Sequence, residues 1–175
     1  MELLQSHQDL NERDPSNGLP ILHYSIENQN YEIMEFLLLP PGNINLAADP
    51  NLHDLNGIPP LFKAIEILSL KAVKLLLNAG AEINYKQNKT KDTALHLAIT
   101  YNSLEIIEEL LESSEINVNA CSKNKENGLM LSINMCNLEI FEVLLRDKRI
   151  DILRRDSEGN SVFHIALDVG AVSII

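Results

Sequence analysis

The sequence predicts an all-α solenoid of helix-turn-helix units joined by polar, turn-rich loops. An apolar segment recurs at a fixed interval, a second helical segment follows it, and residues suited to helix N-caps precede both segments. Helices of eight or nine residues are marginal alone, so pairs of them must bury their apolar faces against neighbouring pairs. The repetition therefore favours a stack of short helix pairs.

The first recurring segment predicts the first helix of each unit. Its apolar anchors in the last four copies are equally spaced along the chain, at Leu61, Leu95, Leu129 and Phe163. An earlier copy is anchored at Leu22, which lies further from Leu61 than this repeat interval. The extra residues fall between Asn45 and Asp54, which predicts a loop insertion there.

The second recurring segment predicts the second helix. Apolar residues at i, i+2, i+3, i+6 and i+7 form one broad face, with charged residues opposite. The four copies span residues 31–38, 70–77, 104–111 and 138–145.

Capping residues fix where both helices begin. We expect N-caps before the second helix at Asn30, Ser69, Ser103 and Asn137. Three copies of the first helix have side chains able to cap, at Thr93, Asn127 and Ser161. In the other two copies Pro20 and Pro59 occupy this position, where they cannot cap through a side chain.

These boundaries predict a single domain over residues 1–175. It comprises a partial repeat or N-cap (1–14), repeat 1 with its insertion (15–53), repeat 2 (54–87), repeat 3 (88–121), repeat 4 (122–155) and partial repeat 5 (156–175). Leu3 and Leu4 align with the second half of a repeat, and Ile174-Ile175 would expose apolar residues where a solenoid end needs polar ones. We therefore expect a segment of a longer chain, or one without ordinary caps.

The chain resembles the ankyrin-repeat family. That family's pattern of a loop Asp and Gly, then Thr-Pro-Leu-His-x-Ala, then Gly-Ala-x-x-Asn is matched by Asp54, Gly57, Leu61, Ala64 and Gly80-Ala-Glu-Ile-Asn84. Thr93, His96 and Ala98 match it in repeat 3, while repeat 4 departs most, with Met130 for His and Ser132 for Ala. The resemblance implies an L-shaped stack of antiparallel helix pairs joined by short β-hairpin loops, called fingers. It also implies a protein-recognition scaffold and a recurring His that bonds the backbone of the adjacent unit.

Composition and motifs narrow the function. The net charge of −11 argues against nucleic acid, and no stretch is apolar enough to cross a membrane. Two cysteines fit a reducing, cytoplasmic compartment. No nucleotide, nucleophile-elbow or metal-ligand motif is present, which predicts no catalytic residues, no cofactor, no metal and no enzyme activity. We expect a monomer that binds a protein or peptide with basic and apolar residues.

Two classes of function remain open. One is a non-catalytic interaction scaffold, and the other is the substrate-recruiting arm of a larger enzyme or bacterial effector whose catalytic domain lies outside this segment. A weaker possibility is that the repeats are themselves a modification substrate. An Asn- and Ile-rich composition without Trp is compatible with a secreted effector of an intracellular bacterium, which would act in the host cytosol or nucleus.

The resemblance also assigns binding residues. In this family the two residues before the inter-helix turn face the concave side. In four successive units the second residue of this pair is apolar: Ile67, Tyr101, Met135 and Val169. This predicts a binding stripe, flanked by acidic Glu66 and Asp168 and rimmed by finger residues Leu55, Asn56, Ile58, Lys89, Asp92, Lys123 and Glu126. The alternative is a turn shifted by one residue, which would pack the stripe inward.

Asn84 is a candidate modification site. The fingers of this family carry an Asn at this position that asparagine hydroxylases can modify. A purely structural role, in which the Asn84 amide hydrogen-bonds the turn, is the competing interpretation.

Overall fold

The computed structural model describes residues 9–40 and 47–171. Within these ranges the chain forms nine α-helices: α1 (Ile21–Glu27), α2 (Tyr31–Leu38), α3 (Pro60–Glu66), α4 (Leu70–Asn78), α5 (Ala94–Thr100), α6 (Leu104–Glu112), α7 (Gly128–Asn134), α8 (Leu138–Arg146) and α9 (Val162–Asp168). Odd-numbered helices are the predicted first helices and even-numbered helices the second. The all-α repeat architecture is therefore confirmed.

The chain divides into two compact units, Met1–Glu82 (unit 1) and Ile83–Ile175 (unit 2). In unit 1, α1 packs on α2 and α3, while α4 packs on α2 and α3. Its core contains fully buried side chains from all four helices: Leu22, Ile26, Met34, Leu61, Phe62, Ile65 and Leu76. Burial of this apolar surface is what stabilises helices too short to persist alone.

Unit 2 repeats the same packing over a longer stretch. Helix α7 packs on α5, α8 and α9, and α5 also packs on α6. Leu95 and Ile99 on α5 and Ile106, Ile107 and Leu110 on α6 are fully buried. Successive first helices therefore lie side by side in this unit.

The helices begin directly after the N-cap residues that the sequence predicts. Asn30, Ser69, Asn127 and Asn137 each accept a hydrogen bond from the backbone N–H three residues later. Thr93 and Ser161 form capping boxes with the histidine three residues on, and Pro20 and Pro59 make no side-chain cap. One expectation needs correction: Ser103 stands at the N-cap of α6, but its hydroxyl makes no capping hydrogen bond.

The turn that follows each first helix contains one residue in the left-handed region. These residues are Gln29, Leu68, Asn102, Cys136 and Gly170, with φ between 51° and 70°. The residue just before each one is the C-cap of a first helix: Asn28, Ile67, Tyr101, Met135 and Val169. The turn therefore keeps one register in every repeat, which places the predicted stripe residues at the ends of the first helices.

The finger loops are simpler than the predicted hairpins. In the described part of the chain they contain isolated antiparallel bridges, Arg13 with Pro20, Cys121 with Asn127 and Arg155 with Ser161, in place of paired strands. The fingers of repeats 2 and 3 have no such bridge among the described residues and are closed by single backbone hydrogen bonds, from the Asp54 N–H to the Ile58 carbonyl and from the Gln87 N–H to the Asp92 carbonyl. Leu3, Leu4 and Val172–Ile175, on which the expected partial repeats depend, lie outside the described residues, as does the start of the predicted insertion.

Candidate functional site

Three of the four predicted stripe residues are exposed, and all three belong to unit 2. Tyr101, Met135 and Val169 keep 42%, 39% and 39% of their surface accessible. They are the C-caps of α5, α7 and α9, which are successive neighbours in the unit. Equivalent positions on adjacent helices place the three apolar side chains in a row, roughly 10 Å apart.

The stripe residues of unit 1 are in a different environment. Ile67 is half-buried at the end of α3. Glu66, predicted as an acidic flank, lies 3.8 Å from the Lys63 ammonium, which also pairs with Glu27 at 2.9 Å. The hydrogen bond with Glu27 raises the pKa of Lys63 above its ordinary value. Lys63 therefore offsets much of the negative charge expected here.

A first cleft in unit 2, cleft A, contains four of the predicted rim residues. It measures about 430 Å³ and lies between two finger loops and helices α5 and α7. Lys89, Asp92, Lys123 and Glu126 line it together with His96, Thr100 and Leu131. Positive and negative side chains thus share this cleft.

A second cleft, cleft B, follows on the other side of Asn124 and Glu126. It measures about 360 Å³ and lies between the next pair of fingers and helices α7 and α9. Its carboxylates are Glu126, Asp156, Glu158 and Asp168, and Ile165 and Val169 add an apolar wall. No lysine or arginine is among its lining residues.

Backbone hydrogen bonds fix the fingers of unit 2 to one another. The N–H of Lys123 donates to the carbonyl of Thr90 at 2.7 Å, and the N–H of Ser157 donates to that of Asn124 at 2.9 Å. Within the last finger, the Asp156 carboxylate accepts from the N–H groups of Glu158 and Asn160. Burial opposes ionisation of Asp156, but these donors outweigh it and lower its pKa. The walls of both clefts are therefore preorganised.

The finger of repeat 2, in unit 1, is built on Asp54. Its carboxylate accepts from the N–H groups of Asn56 and Ile58. Leu55 is 71% exposed at the tip of this finger. Its side chain also lies against Gly18, so close that a Cβ at position 18 would clash with it. Of the predicted rim residues here, Leu55 and Asn56 are accessible and Ile58 is half-buried.

Comparison with known proteins agrees with this geometry. The profile described as "Ankyrin repeats (3 copies)" matches residues 42–120. Over this stretch, just under half of its length, the chain is similar to the ankyrin-repeat family. It is 32% identical to ankyrin repeat protein FPV024 of fowlpox virus (strain NVSL), over 58% of this chain and 16% of that protein. It is 32% identical to the NF-kappa-B p105 subunit of Mus musculus, over 59% of this chain and 10% of that protein.

A further relative is ankyrin repeat protein R664 of Acanthamoeba polyphaga mimivirus, 33% identical over 52% of this chain and 55% of that protein. The chain thus spans between about a tenth and about half of these relatives. Ankyrin repeats are generally protein–protein interaction modules, and the family is typically non-catalytic. No helix in the described ranges is long and apolar enough to cross a membrane, and no group of three or more His, Cys, Asp or Glu within them could hold a metal ion.

Two of the three recurring histidines, His23 and His96, join successive repeats, as the resemblance implied. The Nε2–H of His23 donates to the Ile58 carbonyl at 3.0 Å, and that of His96 donates to the Glu126 carbonyl at 3.2 Å. Burial lowers the pKa of both histidines, although these carbonyls raise it. The Nδ1 of His96 is bonded by Thr93, whereas the buried Nδ1 of His23 has no partner in the described part of the chain.

Asn84 is held by the next repeat, not by its own turn. Its Nδ2 donates to the Glu115 carbonyl and its Oδ1 accepts from the Asn117 N–H, both at 2.8 Å. Asn119 makes the same pair of bonds to Arg149 and Asp151 within unit 2. The Asn84 amide therefore has a structural role, but it crosslinks successive loops and does not hydrogen-bond its own turn.

Cleft B also contains residues that the sequence reasoning missed. Ser157 and Asn160 follow Lys123 and Glu126 by one repeat, yet the predicted rim ends with repeat 4. Adding one more repeat interval to the positions of Lys123 and Glu126 would have included both residues in the predicted rim. Glu158, in the same finger, follows the predicted rim residue Asn56 by three repeat intervals, whereas Asp156 corresponds to Asp54, which was not in the predicted rim.

Proposed function

We propose that this ankyrin-repeat chain is a non-catalytic scaffold that binds a protein segment on its concave face and finger loops. The observation that carries the proposal is the row formed by Tyr101, Met135 and Val169 in unit 2. Exposed apolar residues scattered singly need no explanation, but a row at equivalent positions beside two clefts is typical of a binding surface. Folding gives no reason to repeat an exposed apolar side chain three times at the end of a helix.

The roles within the row follow from side-chain chemistry. Tyr101 combines a large apolar ring with a hydroxyl and is the strongest candidate for a dominant contact. Met135 adapts its shape to a neighbouring side chain because it is unbranched and polarisable. Asp168 and the other carboxylates of cleft B favour basic residues in the partner.

We assign the rest of the predicted set to the same function. Ile67 and Glu66 contribute less than their counterparts in unit 2, because Ile67 is half-buried and Glu66 is near Lys63. The finger residues provide rim contacts, which tune association more than they determine affinity. They are Leu55, Asn56, Ile58, Lys89, Asp92, Lys123 and Glu126.

The test uses short peptides selected from a random library against the whole chain. We expect selection of sequences with basic and apolar residues, and an affinity at least about tenfold lower for Tyr101→Ser. Leu145→Ser is the matched control, because Leu145 is 47% exposed on α8 and lines neither cleft. Failure to select any peptide, or equal loss of affinity in both variants, would contradict the proposal.

Thermal unfolding separates binding from folding in the same variants. Tyr101→Ser should change the melting temperature by only a few degrees, since an exposed side chain contributes little to the core. A drop like that of a core truncation would show that Tyr101 packs inward and would remove it from the binding surface.

The second candidate is the recruiting arm of a larger enzyme or effector. It is supported by the relatives, of which this chain covers 16% and 10% in the two cases at 32% identity. The intact mass of the natural protein tests it directly. A mass equal to that of the printed sequence would refute it, and a larger mass with an added catalytic domain would support it.

A further inference from the structure

The two clefts of unit 2 differ in charge although they share a wall. Asn124 and Glu126 line both. In cleft A, Lys89 and Lys123 balance Asp92 and Glu126, whereas the charged residues lining cleft B are four carboxylates. Cleft A and cleft B together form one groove, along which the charge changes from mixed to strongly negative.

We propose that this groove selects an extended segment carrying one acidic and one basic residue, with the basic side chain in cleft B and the acidic one beside Lys89 and Lys123 in cleft A. The proposal rests on the proposed function and adds a charge order to it. An apolar side chain between the two charges lies against the row formed by Tyr101, Met135 and Val169.

The basic residue is recognised mainly by Glu158 and Asp168. Asp156 already accepts two N–H bonds from its own loop and Glu126 accepts one from the Asn134 amide at 2.6 Å, whereas Glu158 accepts only a long bond from the Asn160 amide at 3.4 Å. The negative charges of Asp156 and Glu126 still act on a cation, but their lone pairs are partly used. Val169 and Ile165 can cover the aliphatic stem of a lysine or arginine while its charged end meets the carboxylates.

The repeat geometry sets the spacing between the two charges. Packed helices lie about 8–10 Å apart, and an extended chain advances about 3.3 Å per residue. The acidic and basic residues of the partner are therefore about three positions apart. Because the fingers are hydrogen-bonded to one another, the clefts keep this spacing without the partner's help.

A set of short fluorescent peptides tests the charge order. All carry the same leucine and tyrosine, and they differ only in two charges about three positions apart: acidic then basic, basic then acidic, both basic, or both acidic. We expect one mixed peptide to bind about fivefold or more tighter than the dibasic peptide, as measured by anisotropy at low salt.

Two variants with the same change in net charge provide the control. Lys123→Glu makes cleft A acidic and should shift the preference to the dibasic peptide. Lys148→Glu changes an exposed residue that lines neither cleft and should leave the order unchanged. Unchanged thermal unfolding would show that both variants fold.

The outcomes distinguish the two proposals. Tightest binding of the dibasic peptide by the unmodified chain would overturn the charge order while leaving a binding scaffold. An equal response to Lys123→Glu and Lys148→Glu would also overturn it, because net charge alone would then explain the effect. Binding of no peptide would count against the scaffold itself.

Discussion

The residue at the N-cap of the first helices differs between the two units. In unit 1, α1 and α3 follow Pro20 and Pro59, which give no side-chain cap. In unit 2, all three first helices follow a polar residue whose side chain bonds the first turn: Thr93, Asn127 and Ser161. Proline presets the extended backbone before a helix, but it removes a donor that the following turn could use.

In the finger turns it is unit 1 that has the more favourable residues. The left-handed position of each finger is held by glycine in unit 1, at Gly18 and Gly57. In unit 2 it is held by Lys91, Lys125 and Gly159. One repeat pattern is therefore satisfied in unit 1 by favourable turns with weak caps, and in unit 2 by good caps with two strained turns. Each unit contains the substitution that should improve the other.

The largest expected effect comes from giving unit 2 the helix start of unit 1. Thr93→Pro removes the hydroxyl and the N–H that both bond Nδ1 of His96, leaving a buried nitrogen unpartnered. We expect a loss of about 2–3 kcal/mol in the free energy of unfolding, measured with urea. Thr93→Val keeps the N–H and should cost less; equal losses would show that the backbone donor is unimportant.

Acidification should also destabilise the protein, through one histidine in each unit. Burial lowers the folded-state pKa of His23 and His96 below the ordinary value of 6.5. The unfolded chain then binds more protons, so this stability is complete above about pH 6.5 and is lost as pH falls through the lowered pKa values. Urea unfolding at about pH 7.5 and 5.5 should show the decrease.

Replacing one histidine at a time shows which histidine causes the loss of stability at low pH. His96→Met copies Met130, the equivalent residue of repeat 4, and should reduce the dependence on pH. His164→Gln changes an exposed residue and serves as the control. An unaltered pH dependence in His96→Met would show that His96 does not contribute to it.

Much of the fold could be predicted from the sequence because its signals are local and repeated. Tyr101 and Met135 could be placed at helix C-caps from the repeat interval alone. The N-caps were predictable for the same reason, since capping depends on residues close in the chain. Ser103 shows the limit: its type permits a cap, but its hydroxyl makes no capping bond.

The site was less predictable because it depends on contacts between repeats. Lys63 and Glu66 are an i,i+3 pair within α3, whereas the pairing of Lys63 with Glu27 requires α1 and α3 to be packed, which no single repeat reveals. The crosslink from Asn84 to the next loop is of the same kind. Cleft B likewise arises only when two fingers and two helices meet.

A smaller gain should follow from giving unit 1 the cap of unit 2. Pro20→Thr places a hydroxyl and an N–H three residues before His23, whose buried Nδ1 is unpartnered among the described residues. The extended backbone of residue 20 accepts threonine, so we expect stabilisation by about 1 kcal/mol. Pro59→Thr is the matched control, because Phe62 stands in the histidine position and has no nitrogen to bond. Equal gains would attribute the effect to capping alone.

The smallest expected effects concern the strained finger turns of unit 2. Lys91 and Lys125 have φ values of 63° and 61°, in the region that costs an L-residue about 1–2 kcal/mol relative to glycine. Lys91→Gly and Lys125→Gly should each stabilise the protein by about 0.5–1 kcal/mol, because relief of strain exceeds the added freedom of the unfolded chain. Lys123→Gly, at a residue without positive φ, should be neutral or destabilising, and Gly57→Lys should reproduce the strain in unit 1. If Lys123→Gly stabilised the protein as much as Lys125→Gly, removal of a surface lysine and not backbone geometry would be the cause.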